Sequence, residues 1–181
     1  MPRRIGVLTS GGDCPGLNAV LRGVVRAATN REWEVVGFHD GFEGLLPPAK
    51  WEVLDFRRTA GIMHLGGTIL GTTNKGHFVV KVGEGARAHV PADVLEKARA
   101  SLSELAIEGL IVIGGDGSMT TALQLQEAGI RVVGVPKTID NDLEATAMTF
   151  GFDSAVACVA DALDRLHTTA TSHKRVMVIE V

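Results

Sequence analysis

Gly109-Leu110-Ile111-Val112-Ile113-Gly114-Gly115-Asp116-Gly117-Ser118 is a short apolar run that breaks abruptly into glycine and a carboxylate. A β-branched run bounded by glycine reads as a buried strand, and Gly117-Ser118 opens a helical pattern after it. The same grammar returns in Arg131-Val132-Val133-Gly134-Val135, which leads into Pro136-Lys137-Thr138-Ile139-Asp140-Asn141-Asp142. Strands followed by helices build a parallel sheet, and such sheets bind ligands beyond the carboxyl ends of their strands. Asp116, Asp140 and Asp142 are therefore expected at one crevice, beside backbone open enough to approach a phosphate. Those residue types in that setting point to phosphoryl transfer.

Working outward, strand and helix alternate along the chain. Arg4–Thr9 reads as a strand and Pro15 to Ala28 as a helix, with Pro15 suited to a first helical position. Glu34–Phe38 is a second strand. Gly41 to Gly85 is irregular, with short helices or a small hairpin. Pro91 to Ile107 carries Val94, Leu95, Ala98, Leu102 and Leu105 at helical spacing. The helix after Ile113 runs to Ala128 and is closed by Gly129. Ser154 to Thr169 is a helix with Val156, Val159, Ala160, Leu163 and Leu166 on one stripe, and Arg175–Val181 is a last strand. The fold class is α/β, a mostly parallel sheet flanked by helices on both faces. Because an apolar strand is an unusual stopping point, the chain reads as a fragment.

The 181 residues carry 18 Lys and Arg against 21 Asp and Glu, a net charge of −3 with no long run of either sign. Nothing in that balance favours nucleic acid or an anionic membrane as a partner. No apolar stretch approaches the roughly 20 residues a membrane span needs. Cys14 and Cys158 lack metal-ligand spacing and read as free thiols of a cytoplasmic chain. Cys14 has no adjacent pair of basic residues and is expected to pack. His64, His77, His167 and His173 show no metal-ligand spacing.

Three segments carry the chemistry. Thr9-Ser10-Gly11-Gly12-Asp13-Cys14-Pro15-Gly16 joins a strand to a helix start, where free N–H groups and the helix dipole favour an anion. It has neither the dinucleotide-binding glycine spacing nor a P-loop Lys-Ser/Thr, so a tight turn without ligand stands as an equal account. Asp116 at the mouth of its strand suits Mg²⁺ bridging phosphate oxygens, whereas helix capping by Asp116 or Ser118 is the structural alternative. Asp140 and Asp142 follow Lys137 and Thr138. One carboxylate would activate a hydroxyl, the other support a metal, and the cation hold phosphate, unless the loop is only a network of Asx turns.

Taken in order, Thr9-Ser10-Gly11-Gly12-Asp13, Gly114-Gly115-Asp116-Gly117-Ser118, Thr138-Ile139-Asp140-Asn141-Asp142 and Ser172-His173-Lys174-Arg175 resemble the 6-phosphofructokinase family. That family includes ATP-dependent and pyrophosphate-dependent enzymes. The likeness covers residues 1–181 as the N-terminal domain, which binds the donor and bears the base, with the second, sugar-binding domain absent. It implies Mg²⁺ and ATP, with fructose 6-phosphate phosphorylated at its C1 hydroxyl to fructose 1,6-bisphosphate in glycolysis. It makes Asp140 the base, Asp116 the metal-associated carboxylate and Asp142 a supporting acid. Thr138 would contact the sugar and the moving phosphoryl group, and Gly12, Gly117 and Ser118 would line the donor. Arg175 would reach the sugar phosphate of a neighbouring subunit, which implies a homo-oligomer, dimer or tetramer. The stretch alone is expected to be inactive.

Two departures bear on the donor. Lys137 is similar to the pyrophosphate enzymes, where it helps hold the small donor. Those enzymes usually carry Asp where Gly117 stands, and a side chain there would crowd the α-phosphate of ATP. A clash excludes a donor more firmly than an added lysine does, so ATP is expected and pyrophosphate is the alternative. Asn74 stands where bacterial ATP enzymes commonly place an arginine, and Lys75 beside it is a substitute point charge. Arg22 and Arg26 match two arginines of a nucleotide effector site, but Phe56 replaces a third, so this pair is expected to be a solvated helix face. A non-catalytic nucleotide-binding module and a kinase for another acceptor, such as NAD, remain as competing readings.

Overall fold

The computed structural model describes residues 2–78 and 89–181. Among these, six strands lie in the order β3-β2-β1-β4-β5-β6. They are β1 (Arg4–Thr9), β2 (Glu34–Phe38), β3 (Trp51–Leu54), β4 (Ile107–Gly114), β5 (Val132–Thr138) and β6 (Phe150–Gly151). Every neighbouring pair is parallel except β2 and β3, which are antiparallel. The helices are α1 (Leu17–Thr29), α2 (Ala92–Glu104), α3 (Asp116–Glu127) and α4 (Phe152–His173).

Successive strand residues face opposite sides of a sheet, and here the two sides form two cores. Val7, Val35 and Ile113 pack under α1 with Leu17, Leu21 and Val25. Leu8, Val36, Phe38, Leu110 and Val112 pack under α2 and α3 with Val94, Ala98, Leu102, Ala122 and Leu125. Burial of each of the larger side chains contributes roughly 1.5–3 kcal/mol. Helices thus cover both faces of the β2-β1-β4 centre. Parallel β1, β4 and β5 deliver their carboxyl ends to one edge, and that is what assembles the site.

Several expected boundaries move. Helix α1 starts at Leu17, because Gly16 takes a left-handed φ of 98° as its N-cap and leaves Pro15 outside the helix. Helix α2 ends at Glu104, with Leu105 as its C-cap, and Ile107 already belongs to β4, where it pairs with Arg4. The irregular region contributes β3 as an antiparallel edge strand and short 3₁₀ turns at Gly41–Leu45 and Ile62–His64. Its last part, 79–85, lies outside the described residues. Gly129 closes α3 as expected, with the Ile130 N–H donating to the Leu125 carbonyl.

Two expectations fail after β5. The last strand does not form: 175–181 joins no ladder, and Val176 and Val178 are 92% and 88% exposed. A strand needs a hydrogen-bonded neighbour, and among the described residues this segment has none. Helix α4 exists and is longer than expected, but its apolar stripe is not an inward face. Val156 and Leu163 are about half exposed, at 52% and 53%, and Ala155 is the helix's one buried residue. Periodicity marks a stripe; packing depends on what lies opposite.

Candidate active site

The carboxyl ends of β1, β4 and β5 enclose a crevice of about 380 Å³. It is lined by Gly11 to Cys14 after β1, Gly115 to Ser118 after β4, and Lys137 to Asp140 at the end of β5. Gly12, Asp116, Gly117, Ser118, Lys137, Thr138 and Asp140, separated by up to 128 positions, therefore share one wall system.

Sheet register brings the first two loops together. The Ser10 N–H donates to the Ile113 carbonyl at 2.9 Å, extending the β1–β4 ladder past its end. At Gly114 a Cβ would strike the Ser118 side chain and come within 3.0 Å of the Ser10 carbonyl, so the close approach requires glycine. Helix α3 begins on Gly115 with no side-chain cap, which places Asp116 at the first helical position and leaves its carboxylate exposed at the crevice. Capping by Asp116 or Ser118 is thereby set aside. A carboxylate in the first turn is also favoured by the helix dipole.

The third loop is held locally. Thr138 Oγ1 accepts from the Asp140 N–H at 3.1 Å and donates to Asp140 Oδ2 at 3.3 Å. Asn141, at a φ of 53°, accepts from the Thr149 N–H at 2.9 Å through its Oδ1. Asp140 and Asp142 are both exposed, but only Asp140 lines the crevice. Lys137 differs from them: it is 6% exposed and its Nζ donates to the Gly12 carbonyl. Cys14 is buried beside it. Burial pushes the thiol up from its ordinary value, the Lys137 charge pulls it back and Asp13 adds to the rise, so Cys14 is a packed thiol rather than a reactive one.

A smaller cavity of about 150 Å³ adjoins the crevice through Gly11, Gly117 and Ser118, and it places Lys75 and Asn74 beside them. Phe42 and Phe78 stack there with ring centroids 5.4 Å apart. Glu43 accepts from the His77 backbone N–H at 2.6 Å and meets His77 Nδ1 at 2.8 Å, fixing the loop that carries Lys75. Phe42, Phe78, Glu43 and Thr121 are residues that the sequence reading missed. An aromatic pair 36 positions apart leaves no local signal.

Arg175 is exposed just past α4, and its backbone N–H donates to the Ala170 carbonyl at 2.9 Å; it does not line the crevice. Arg22 is not a solvated residue: Nη1 donates to the Thr59 carbonyl at 2.6 Å, and the guanidinium lies 4.7 Å from the Phe56 ring centroid. Arg26 on the same helix is exposed, as expected. Among the described residues no three His, Cys, Asp or Glu side chains form a metal-binding group, and no helix is long and apolar enough to cross a membrane.

Comparison with known proteins adds three findings. The phosphofructokinase family model matches residues 4–181. The chain is 54% identical over 179 residues to an ATP-dependent 6-phosphofructokinase of Chloroflexus aggregans and 50% identical to ATP-dependent 6-phosphofructokinase 2 of Streptomyces coelicolor, covering 99% and 98% of itself. It covers 49% of each, so it spans about half the length of the curated relatives it matches. The phosphofructokinase structure of Saccharomyces cerevisiae superposes with a TM-score of 0.77 at 29% identity, over 94% of this chain and 25% of that one.

Proposed function

The chain belongs to the phosphofructokinase family, and from that premise we propose that it is the donor-binding, base-bearing part of an ATP-dependent 6-phosphofructokinase. The observation that carries this reading is the single crevice shared by the Gly11–Gly12 turn, Asp116 and Asp140. The acceptor is fructose 6-phosphate, and its sugar-binding remainder corresponds to the half of the relatives that this chain does not cover. Sharing of sites between copies in a homo-oligomer, with Arg175 reaching a neighbour's sugar phosphate, is part of the same proposal, as is a cytoplasmic location.

Asp140 is the base. Its carboxylate takes the proton of the C1 hydroxyl as that oxygen bonds to the γ-phosphorus, while the bond from γ-phosphorus to the bridging oxygen breaks and ADP departs. Thr138, bonded to both the N–H and the carboxylate of Asp140, sets the carboxylate's direction. Asp142, exposed and outside the crevice wall, would act only as a second negative charge two residues from the base. The glycine turn and Ser118 line the donor phosphates. Asp116 would hold Mg²⁺, which when bound neutralises charge across the donor phosphates. One exposed carboxylate suits Mg²⁺, an ion that takes one or two protein carboxylates and fills the rest of its shell with phosphate and water.

Donor choice rests on Gly117. It stands between the crevice and the cavity floored by Phe42 and Phe78, and it bears no side chain to block passage from one to the other. A cavity that sets Phe42 and Phe78 among Glu43, Thr73, Asn74 and Thr121 next to a phosphate site offers a nucleoside both apolar and hydrogen-bonding contacts that pyrophosphate would not use. Lys75 supplies a point charge at the same passage. The test is formation of fructose 1,6-bisphosphate by the intact gene product with Mg-ATP and Mg-pyrophosphate compared. Preference for ATP supports the reading, preference for pyrophosphate reverses the donor assignment, and no product with either leaves a nucleotide-binding module.

A further inference from the structure

The Gly11–Gly12 turn is tied down at both of its carbonyls. Thr72 Oγ1 donates to the Gly11 carbonyl at 2.6 Å, and Lys137 Nζ donates to the Gly12 carbonyl. The Gly11 N–H is taken as well, donating to the Thr73 carbonyl at 3.2 Å. In a trans peptide the C=O and the next residue's N–H point in opposite directions. Anchoring the Gly11 carbonyl therefore turns the Gly12 N–H away from Thr72, and anchoring the Gly12 carbonyl turns the Asp13 N–H away from Lys137. Neither N–H finds a protein acceptor among the described residues, and both belong to exposed residues lining the crevice.

We infer that Thr72 and Lys137 are positioning residues, which hold the glycine turn so that the Gly12 and Asp13 N–H groups present to the donor phosphate. Lys137 acts through Gly12 and does not select between donors. This rests on the phosphoryl-transfer reading above and deepens it. It also accounts for a lysine beside an unobstructed Gly117: Lys137 as a residue is 6% exposed, has no carboxylate within ion-pair distance among the described residues, and aims its ammonium at a backbone carbonyl. A charge so placed stabilises a loop it can reach, whereas a lysine serving as a free phosphate ligand would keep its head in the open crevice.

The experiment compares Lys137→Met, Lys137→Gln and Thr72→Val in the intact gene product. Thr72→Val keeps the shape of the side chain and removes only the donor. The expected result is a rise of roughly tenfold or more in the KM for ATP in Lys137→Met and Thr72→Val, the scale of a lost hydrogen bond to a buried group. The ATP-to-pyrophosphate ratio stays at its original value, and Lys137→Gln, which retains an N–H donor, recovers most of the loss. A shift of that ratio in Lys137→Met, or an unchanged KM in Thr72→Val, overturns the inference. Amide hydrogen exchange without any donor separates this from the functional reading. Faster exchange of the hydrogen-bonded Ser10 and Gly11 amides in Lys137→Met and Thr72→Val supports the anchors even if the protein uses neither donor, and unchanged exchange overturns them.

Discussion

The loops after β1 and β4 and the segment after β5 present opposite solutions to building one crevice. On the proposed donor side a backbone turn stands beside the Asp116 carboxylate, and other elements hold that turn: Thr72, Thr73 and Lys137 fix Gly11–Gly12, and Ser10 is laddered to Ile113. Beneath them Leu8 and Ile113 are fully buried. On the proposed acceptor side the groups are side chains on an exposed loop, bonded through Thr138, Asn141 and Thr149 to partners two to eleven residues away in the same segment. Apolar side chains there are left open, with Phe150 and Met148 each 51% exposed. Backbone cradles need a rigid surround because a small tilt of a peptide plane loses the ligand. A carboxylate base needs only its own turn and the substrate.

If that contrast holds, damage on the two sides has different consequences. The largest effect is expected at Leu8, which is fully buried at the heart of the sheet. Leu8→Ala should cost roughly 2–5 kcal/mol of stability, read by denaturant unfolding. A cost near zero would mean that the donor side is not braced by its core.

Gly114→Ala comes next. The added methyl meets Ser118 and the Ser10 carbonyl, an overpacking that should cost roughly 1–3 kcal/mol and weaken ATP binding at the same time. Lost stability with unchanged ATP affinity, measured by calorimetry, would separate the loop spacing from the donor site.

The smallest effect is expected on α4. Leu163→Ala should change stability by no more than about 0.5 kcal/mol, because the side chain is already half exposed. A large loss in the intact gene product would show that another surface covers the stripe there, and would narrow the contrast.

Much of this was legible in the sequence, for reasons that differ by residue. The β4 and β5 runs, the Gly129 cap and the convergence of Asp116 with Asp140 follow from local pattern and parallel topology alone. Pro15 is a good first helical residue, yet α1 starts at Leu17, and only the backbone reveals that Gly16 takes the left-handed turn. The Lys137–Gly12 bond spans 125 positions, and the Phe42–Phe78 stack pairs two unremarkable phenylalanines. Neither leaves a periodic or spaced signal. The stripe on α4 and the run at 175–181 are apolar but not packed among the described residues, since composition gives affinity for burial but not a neighbour to supply it.

Asp140 is proposed as a base set on a locally held loop, with the donor bound independently of it. The most direct test is Asp140→Asn in the intact gene product, measuring turnover with Mg-ATP and fructose 6-phosphate alongside ATP affinity and thermal unfolding. Turnover is expected to fall by roughly 10²–10⁴-fold, with ATP affinity and unfolding temperature unchanged. Turnover equal to the unsubstituted protein would contradict it, as would a loss of activity matched by a loss of ATP binding.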